Sequence, residues 1–229
     1  MQLVVATLED LRAELSSAFQ QMVDSGPVSC GLSGGATALI YLGALRGARV
    51  DWSRVSLFWV DECAVPFTDP ESSAGLARQM LIAPMTHERP RTFPMHAAGP
   101  DLEEAAVDYD HVLDRELSGE PLDLAIVGVG EDGHVGALFA GSPALQAQSR
   151  VVAIHDAPRG PRRRLTLSLP FLMSSRRIWV VAVGARKRAI VQAVVGRTGG
   201  ETPFDLLVRY GEDVTILTDQ AVSRGASGR

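Results

Sequence analysis

Residues 123–141, DLAIVGVGEDGHVGALFAG, join a short apolar segment to a glycine-rich turn. Residues 124–127 are too few and too rich in β-branched side chains for a helix, so they predict a buried strand of a parallel sheet. The glycines that follow let the backbone turn sharply and approach a ligand closely. Asp132 and His134 lie in this turn, at the strand end where open α/β sheets bind their ligands. The turn therefore predicts either a site with a histidine base or an ordinary surface turn.

The same alternation of apolar segments and helical periodicity extends to both sides of this turn. Near the amino terminus, Thr7 has the position of an N-cap and Asp10 that of its capping-box acid, and Gly26 ends the helix that follows. Strands are predicted at 28–32, 55–60, 124–127, 151–154, 178–183 and 214–217, and helices at 8–22, 36–45, 73–82, 102–117 and 185–195. Residues 84–100 look irregular, and 165–174 fit either type. This order predicts the α/β class, with a doubly wound, mostly parallel, Rossmann-like sheet and helices on both faces.

Size and composition are those of one globular domain. The chain has 229 residues, of which 46% are hydrophobic and 21% are charged, and this is enough for one complete core. We predict a single α/β domain over residues 1–223. The remaining residues, 224–229, predict a disordered tail because they are small, polar and terminal.

Charge, cysteines and hydropathy limit the classes of partner. The net charge of −5 argues against a nucleic-acid surface. No apolar run reaches the length of a membrane span, and the first residues lack the basic region of a secretory signal. The two cysteines, Cys30 and Cys63, fit a reducing compartment rather than a disulfide framework. We therefore expect a cytoplasmic protein, a monomer or a small homo-oligomer, that binds neither nucleic acid nor membrane.

Four loops are predicted to meet at one crevice, because the connections of a parallel sheet bring the strand carboxyl ends to one edge. They are residues 33–37 (SGGAT), 61–63 (DEC), 131–134 (EDGH) and 184–187 (GARK). The first is a glycine pair at a helix start, which can bind an anion but matches neither the Walker A nor the GxGxxG pattern. The last loop also places a glycine at a helix start and adds Lys187, the only lysine of the chain. A lysine ammonium group can bind a phosphate as a point charge. Ordinary strand-to-helix turns are the alternative.

The acids and the histidine favour proton transfer over metal binding. Asp61, Asp132 and His134 belong to the predicted crevice, but His134 has no histidine nearby and the cysteines lack a paired spacing. Residues 131–133 also lack the alternating acids of a calcium loop. We therefore predict no metal and no cofactor. The remaining histidines stand in polar or loop contexts and are predicted at the surface: His87, His96, His111 and His155.

Taken in order, these motifs resemble the glucosamine-6-phosphate isomerase/6-phosphogluconolactonase superfamily, and its lactonase branch in particular. Residues 127–141, VGVGEDGHVGALFAG, are similar to the family pattern LGxGxDGHTASLFPG, and SGGAT is similar to SGGxT. Residues 58–81, FWVDECAVPFTDPESSAGLARQML, are similar to WxDERxVPxxxxxSNxxxxxxxL. PRRRLTLSLPFL at 161–172 and GARK also match in order and spacing. The resemblance covers residues 28–219, which is most of the chain.

The resemblance implies a metal-free hydrolase of the pentose phosphate pathway that converts 6-phospho-D-glucono-1,5-lactone to 6-phosphogluconate. His134 would activate the water that attacks the C1 carbonyl, while Asp132 and Asp61 would orient the histidine or hold sugar hydroxyls. The phosphate would be bound by groups of three segments: Ser33, Gly34, Gly35, Thr37, Arg164 and Lys187. At most one arginine of the run 162–164 is expected to contact the phosphate.

Two other functions stay open. The isomerase and deaminase branch carries a catalytic glutamate five residues beyond its histidine, whereas this chain has Phe139 there, which cannot move protons. This difference favours hydrolysis over isomerisation. A non-catalytic sugar-phosphate sensor is the third function, and it would need an output partner, because no DNA-binding helix-turn-helix and no basic face is visible in the sequence.

The chain departs from the family pattern at several positions. Cys63 stands where the family has arginine and Ser73 where it has asparagine, and Val135 and Ala137 have lost the family's hydroxyls. We expect Cys63 to be a substitution at the rim of the site that removes an anion partner, rather than a nucleophile beside the histidine. Either a nearby arginine compensates for it, or the activity is weaker, or the substrate differs.

Overall fold

The computed structural model describes residues 1–86 and 88–222, and it is built around a parallel sheet. The strands of these residues are β1 (Gln2–Val5), β2 (Val28–Leu32), β3 (Val55–Trp59), β4 (Asp61–Cys63), β5 (Arg91–Phe93), β6 (Leu124–Gly128), β7 (Val151–Ile154), β8 (Arg164–Leu167), β9 (Ile178–Val181) and β10 (Val214–Thr218). Seven of them form one sheet in the order β1-β10-β9-β6-β2-β3-β5, and every neighbouring pair is parallel. The other three form a small antiparallel sheet in the order β4-β8-β7.

Helices connect most of the strands. The α-helices of the described residues are α1 (Leu8–Ser25), α2 (Ala38–Gly47), α3 (Ser73–Ala77), α4 (Leu102–Leu117), α5 (Leu169–Met173), α6 (Arg188–Val195) and α7 (Pro203–Tyr210). Helix α1 packs against α2, and α4 packs against β7 and β8. The predicted fold class, a doubly wound α/β protein with a mostly parallel sheet, is confirmed.

The local sequence explains the strongest predictions. In β6, the residues from Leu124 to Val127 are all buried, as expected for a strand covered on both faces. Helix α1 begins as predicted, because the Thr7 side chain accepts a hydrogen bond from the Asp10 backbone N–H. Its buried face follows the helical period, and Gly26 follows its last residue. The local sequence is therefore enough to predict β6 and α1, because each needs only a core to pack against.

The strand order reverses at the centre of the sheet. From β2 the chain continues to β3 and β5 on one side, and from β6 it continues to β9 and β10 on the other. The loops that follow β2 and β6 therefore leave the sheet in opposite directions. Such a switch point opens a crevice at the carboxyl ends of the strands, and this is where α/β proteins bind ligands.

The sequence does not predict β1, β5 or α7. Strands β1 and β5 lie at the two edges of the sheet and are short, and their residues are exposed or only half-buried, so neither shows the pattern of a buried strand. Helix α7 has only eight residues, but its start carries a sequence signal that the prediction missed: Thr202 at the N-cap, Pro203 at the first helical position and Asp205 at the capping-box position.

Several predicted boundaries also change. The strand predicted at 55–60 ends at Trp59, and the chain turns at Val60 into β4, which leaves the central sheet. The ambiguous segment 165–174 divides at Ser168, an N-cap that separates β8 from α5. Three predicted helices also differ. The helix predicted at 36–45 begins at Ala38, and the helix predicted at 73–82 divides into α3 and a π-helical turn, Arg78–Ile82. The helix predicted at 185–195 begins with a 3-10 turn, Ala185–Lys187.

The buried side chains of the described residues form one hydrophobic core. None of the described helices has the length and apolar character that a membrane crossing requires. The tail predicted at 224–229 lies outside the described residues, and so does His87.

Candidate active site

A crevice of about 600 Å³ opens at the carboxyl ends of the central strands. Three of the four predicted loops line it with several residues each, and the fourth contributes Asp61. Its wall is formed by the following residues: Ser33, Gly34, Gly35, Ala36, Thr37, Ile40, Asp61, Gly128, Val129, Gly130, Glu131, His134, Gly136, Arg159, Arg164, Val183, Gly184, Ala185, Arg186 and Lys187. The predicted convergence of the loops is confirmed.

The SGGAT loop is fixed from both sides. The Ser33 hydroxyl donates to Asp61 Oδ1 at 2.8 Å, and the Tyr41 hydroxyl donates to the Ser33 carbonyl. Thr37 stands at the N-cap of α2 but its side chain makes no capping bond. A Cβ on Gly128 would lie 2.9 Å from the Thr37 hydroxyl oxygen, so glycine is needed there for the close approach of β6. The loop thus presents the amino end of α2 to the crevice, as an anion site requires.

His134 is paired with Asp132. Nδ1 of the imidazole lies 2.5 Å from Asp132 Oδ1, and the His134 backbone N–H donates to the same oxygen at 3.3 Å. Because a carboxylate only accepts, this contact assigns the proton to Nδ1 and leaves Nε2 as a proton acceptor. The imidazole also packs on the Phe139 ring, with 4.8 Å between the ring centroids.

Gly130 makes this pair possible. A Cβ on Gly130 would lie 2.0 Å from His134 Nδ1 and 2.4 Å from Asp132 Oδ1, far inside van der Waals contact. The glycine is therefore required by the space that the acid and the imidazole occupy, not by a turn alone.

Asp132 is held in its charged form. Partial burial raises the pKa of its carboxyl, but the hydrogen bond and charge of His134, together with the charge of Arg159, outweigh this and hold the pKa below its usual value. Arg159 Nη2 lies 3.3 Å from Asp132 Oδ2, so the two oxygens of the carboxylate face different partners. An ionised acid in this place stabilises a protonated imidazole.

Asp61 is a second, more deeply buried acid of the site. Burial raises the pKa of its carboxyl, and the Ser33 hydrogen bond and the positive charge of Arg164 oppose this rise. Arg164 Nη1 lies 4.0 Å from Asp61 Oδ2. The guanidinium is oriented by donating to the Pro161 and Gly160 carbonyls, at 2.8 and 2.9 Å. These contacts fix a cation and an acid side by side in the crevice wall.

The three arginines of the run 162–164 face different surroundings. Arg162 pairs with Asp156 on the surface, and Arg163 donates to the Pro100 carbonyl. Arg164 alone of the three lines the crevice.

Two arginines of the crevice are missed by the sequence reasoning. Arg159 lies in the loop between β7 and β8 and lines the crevice, but nothing in the sequence spacing distinguishes it from the basic residues beside it. Arg186 belongs to the predicted loop 184–187, of which the sequence assigns only Lys187 to the phosphate, and its Nη1 lies 3.5 Å from Glu131 Oε1. No signal in the sequence identifies Arg159, because its place at the crevice depends on the antiparallel pairing of β7 with β8.

Lys187 lies among these cations at the crevice wall. Within residues 1–86 and 88–222, its ammonium group makes no hydrogen bond and no ion pair. Burial lowers its pKa, Glu131 opposes this effect, and the charges of Arg159 and Arg186 add to it. A bound anion would relieve the repulsion between these like charges.

Position 63 is not at the rim, contrary to the expectation from the sequence. Cys63 is only 3% exposed and does not line the crevice, because β4 turns its side chain into the protein. Burial raises the pKa of its thiol to about 12, so the thiolate that a nucleophile needs does not form near neutral pH. The neighbouring Glu62 also faces away, and its carboxylate accepts from the Ser73 and Ala74 backbone N–H groups at the start of α3.

The remaining histidines that the structure describes, His96, His111 and His155, are at the surface as predicted. In the described part of the chain, no group of three or more histidine, cysteine, aspartate or glutamate side chains is placed to hold a metal ion.

The fold and the crevice define a class: an α/β protein with a cation-lined ligand site and a histidine–aspartate pair at the switch point of its sheet. Residues 2–216 match the family model described as glucosamine-6-phosphate isomerases/6-phosphogluconolactonase. The chain belongs to this family, and the resemblance seen in the sequence is confirmed.

Relatives and solved structures agree with this assignment. A 6-phosphogluconolactonase of Mycobacterium tuberculosis is 37% identical over 178 residues, which cover 74% of this chain and 72% of the relative. The structure of a 6-phosphogluconolactonase from Trypanosoma cruzi matches with a TM-score of 0.82 at 20% identity, over 95% of this chain and 93% of that one. A monomeric glucosamine-6-phosphate deaminase matches with a TM-score of 0.79 at 20% identity, over 95% and 97% of the two chains. The fold is therefore shared by lactonases and deaminases and does not separate them.

Proposed function

We propose that this protein hydrolyses 6-phospho-D-glucono-1,5-lactone to 6-phosphogluconate, with His134 as a general base and without a metal. The observation that carries the proposal is the 2.5 Å contact between His134 Nδ1 and Asp132, which leaves Nε2 as the acceptor inside a crevice lined by cations. Membership of the family supports the choice of a sugar phosphate as substrate.

In the proposed reaction, His134 Nε2 takes a proton from water while the water oxygen attacks the C1 carbonyl carbon. The ionised Asp132 stabilises the imidazolium that forms. The tetrahedral intermediate collapses with cleavage of the bond between C1 and the ring oxygen, and the imidazolium returns its proton to that oxygen. Asp61, held by Ser33 and Arg164, is placed to accept a hydrogen bond from a sugar hydroxyl.

The phosphate is proposed to bind between the SGGAT loop and Lys187. The backbone N–H groups of Gly34 and Gly35 and the amino end of α2 favour a dianion, and Arg164 and Lys187 supply full charges beside them. The lactone ring then extends toward His134, and this places the reacting carbon away from the anion site.

A specific observation favours hydrolysis over isomerisation. Phe139, which occupies the place of the glutamate of the isomerase branch, packs directly on the imidazole of His134. An aromatic ring there cannot move a proton between two carbon atoms, but it shields one face of the histidine from water.

The test is a comparison of substrates. Purified protein is mixed with freshly generated lactone, 6-phosphogluconate is followed by a coupled dehydrogenase, and glucosamine 6-phosphate is offered in parallel. We expect the lactone to be hydrolysed far faster than its spontaneous rate and glucosamine 6-phosphate to be left unchanged. Conversion of glucosamine 6-phosphate alone would assign the isomerase branch, and binding of both without turnover would indicate a sensor.

Lys187→Ala is expected to weaken binding of the phosphorylated lactone by one to two decades. A hydrogen bond to a charged group contributes roughly 1.5–3 kcal/mol, and every 1.4 kcal/mol is about tenfold in affinity. The change should appear in KM with kcat nearly constant, because the ammonium is assigned to the phosphate and not to the reacting carbon.

The unphosphorylated gluconolactone is the control for Lys187→Ala. Its turnover should be almost insensitive to the substitution. Equal losses for both lactones would mean that Lys187 supports the structure of the crevice rather than the phosphate.

A further inference from the structure

The loop that carries His134 has a tether outside its own turn. Inside residues 130–136, the Gly130 backbone N–H donates to the His134 carbonyl at 2.8 Å, and the Gly133 N–H donates to the Gly130 carbonyl at 3.0 Å. A further bond comes from a distant part of the chain, where the Phe204 backbone N–H donates to the Gly133 carbonyl at 3.0 Å. The first turn of α7 therefore holds the peptide group that immediately precedes His134.

The start of α7 is itself held by a reciprocal cap. The Thr202 hydroxyl accepts from the Asp205 backbone N–H at 3.2 Å and donates to Asp205 Oδ2 at 2.5 Å. The same carboxylate oxygen accepts from the Thr202 backbone N–H at 3.2 Å. Asp205 is buried, so this cap is shielded from water and fixes the direction of the Phe204 N–H.

The Thr202 side chain also touches the His134 loop directly. A Cβ on Gly133 would lie 2.6 Å from both Cβ and Oγ1 of Thr202, so the threonine occupies the space above that glycine. Gly133 has φ of +81°, a conformation that suits glycine. Peptide 133–134 is thus held on one side by a hydrogen bond and on the other by packing.

We propose that Thr202 is a positioning residue for the proposed reaction: its cap on α7 fixes peptide 133–134 and thereby holds the imidazole of His134 against Asp132. This inference rests on the proposed function of His134. Thr202 does not line the crevice and acts only through the loop. The side-chain contacts of Arg159 and Arg186 to the loop acids are largely exposed, so they are weaker restraints than the backbone bond from α7.

The test compares two caps of the same kind. Thr202→Val keeps the shape of the side chain and removes the hydroxyl. Thr7→Val makes the same change at the N-cap of α1, which does not line the crevice. There the Thr7 hydroxyl likewise donates to Asp10 and accepts from its backbone N–H, although this pair is exposed. Thr202→Ser restores a hydroxyl, and His134→Ala reports on the proposed function itself.

For Thr202→Val we expect kcat to fall roughly ten- to hundredfold, the size of effect that a small displacement of a reacting group produces. KM should change little, and phosphorylated and unphosphorylated lactones should lose the same factor. Thr202→Ser should recover most of the rate, and Thr7→Val should keep it. Independently of activity, amide hydrogen exchange over residues 128–138 should become faster in Thr202→Val and stay unchanged in Thr7→Val.

Two outcomes separate the two claims. If His134→Ala is as active as the unmodified protein, the proposed role of His134 as the general base fails. If His134→Ala is inactive but Thr202→Val matches Thr7→Val in rate and in exchange over 128–138, the positioning role of Thr202 is overturned. Should Thr202→Val not fold, Asp205→Asn replaces it, because it weakens the same cap while preserving its shape, and the same expectation applies.

Discussion

His134→Ala is expected to lower kcat for 6-phospho-D-glucono-1,5-lactone by roughly 10²–10⁴, the usual contribution of a positioned general base. His134 lines the crevice, and its Nδ1 is bound to Asp132, which leaves Nε2 as a proton acceptor. Removing it leaves the anion site intact, so KM should change much less than kcat. The measurement is a steady-state assay corrected for spontaneous hydrolysis of the lactone.

His155→Ala is the matched control for this substitution. His155 also pairs with a carboxylate, Glu103 at 2.9 Å, but on the exposed surface away from the crevice. It should keep the full rate. A His134→Ala protein with the correct fold and nearly normal turnover would show that the base lies elsewhere.

The pH profile should agree with this role of the histidine. A general base acts only in its unprotonated form, so activity is expected to fall on acidification. Because the pKa of Asp132 is held below its usual value, its carboxylate stays charged over the pH range in which activity falls and does not cause the loss of activity. The acidic limb should therefore be absent from the residual activity of His134→Ala.

Gly130→Ala is the second substitution for which a large loss is expected. The added methyl carbon would lie 2.0 Å from His134 Nδ1, so the imidazole and Asp132 cannot keep their present contact. Displacing a reacting group by about 1 Å can cost about 10²-fold in rate. We therefore expect kcat to fall roughly a hundredfold or more, with a smaller change in affinity for the phosphorylated substrate.

Gly43→Ala is the control for the added methyl group. Gly43 lies in α2 with nothing within 4 Å of its would-be Cβ, so the same substitution there should leave activity unchanged and slightly stabilise the helix. If Gly130→Ala turned over the lactone as fast as Gly43→Ala, the contact between His134 and Asp132 would have no part in the reaction.

The sequence predicts the central elements of the fold because each carries its own signal. β6 is a continuous apolar segment, and α1 has a cap and a helical period. The edge strands that are missed, β1 and β5, are short and lack a continuous buried segment. β1 and β5 gain their structure from pairing at the sheet edges, and the second sheet depends on the turn at Val60 that takes β4 away from β3.

The candidate site likewise combines features that the sequence predicts with features that depend on tertiary packing. Loops that follow strands of a parallel sheet must share an edge, so the convergence of the SGGAT, EDGH and GARK loops can be read from the sequence. The buried position of Cys63 cannot, because it depends on which way β4 faces after leaving the sheet. The contribution of Arg159 and the contact of α7 with Gly133 also come from tertiary packing alone.

The most direct test of metal-free hydrolysis in this crevice is a time course of freshly generated lactone followed by ³¹P NMR, with protein that has been dialysed against EDTA. The predicted result is disappearance of the lactone far faster than in buffer alone, at a rate that neither the chelator nor added zinc or magnesium changes. A rate equal to spontaneous hydrolysis, or a rate lost with EDTA and restored by a metal ion, would contradict it.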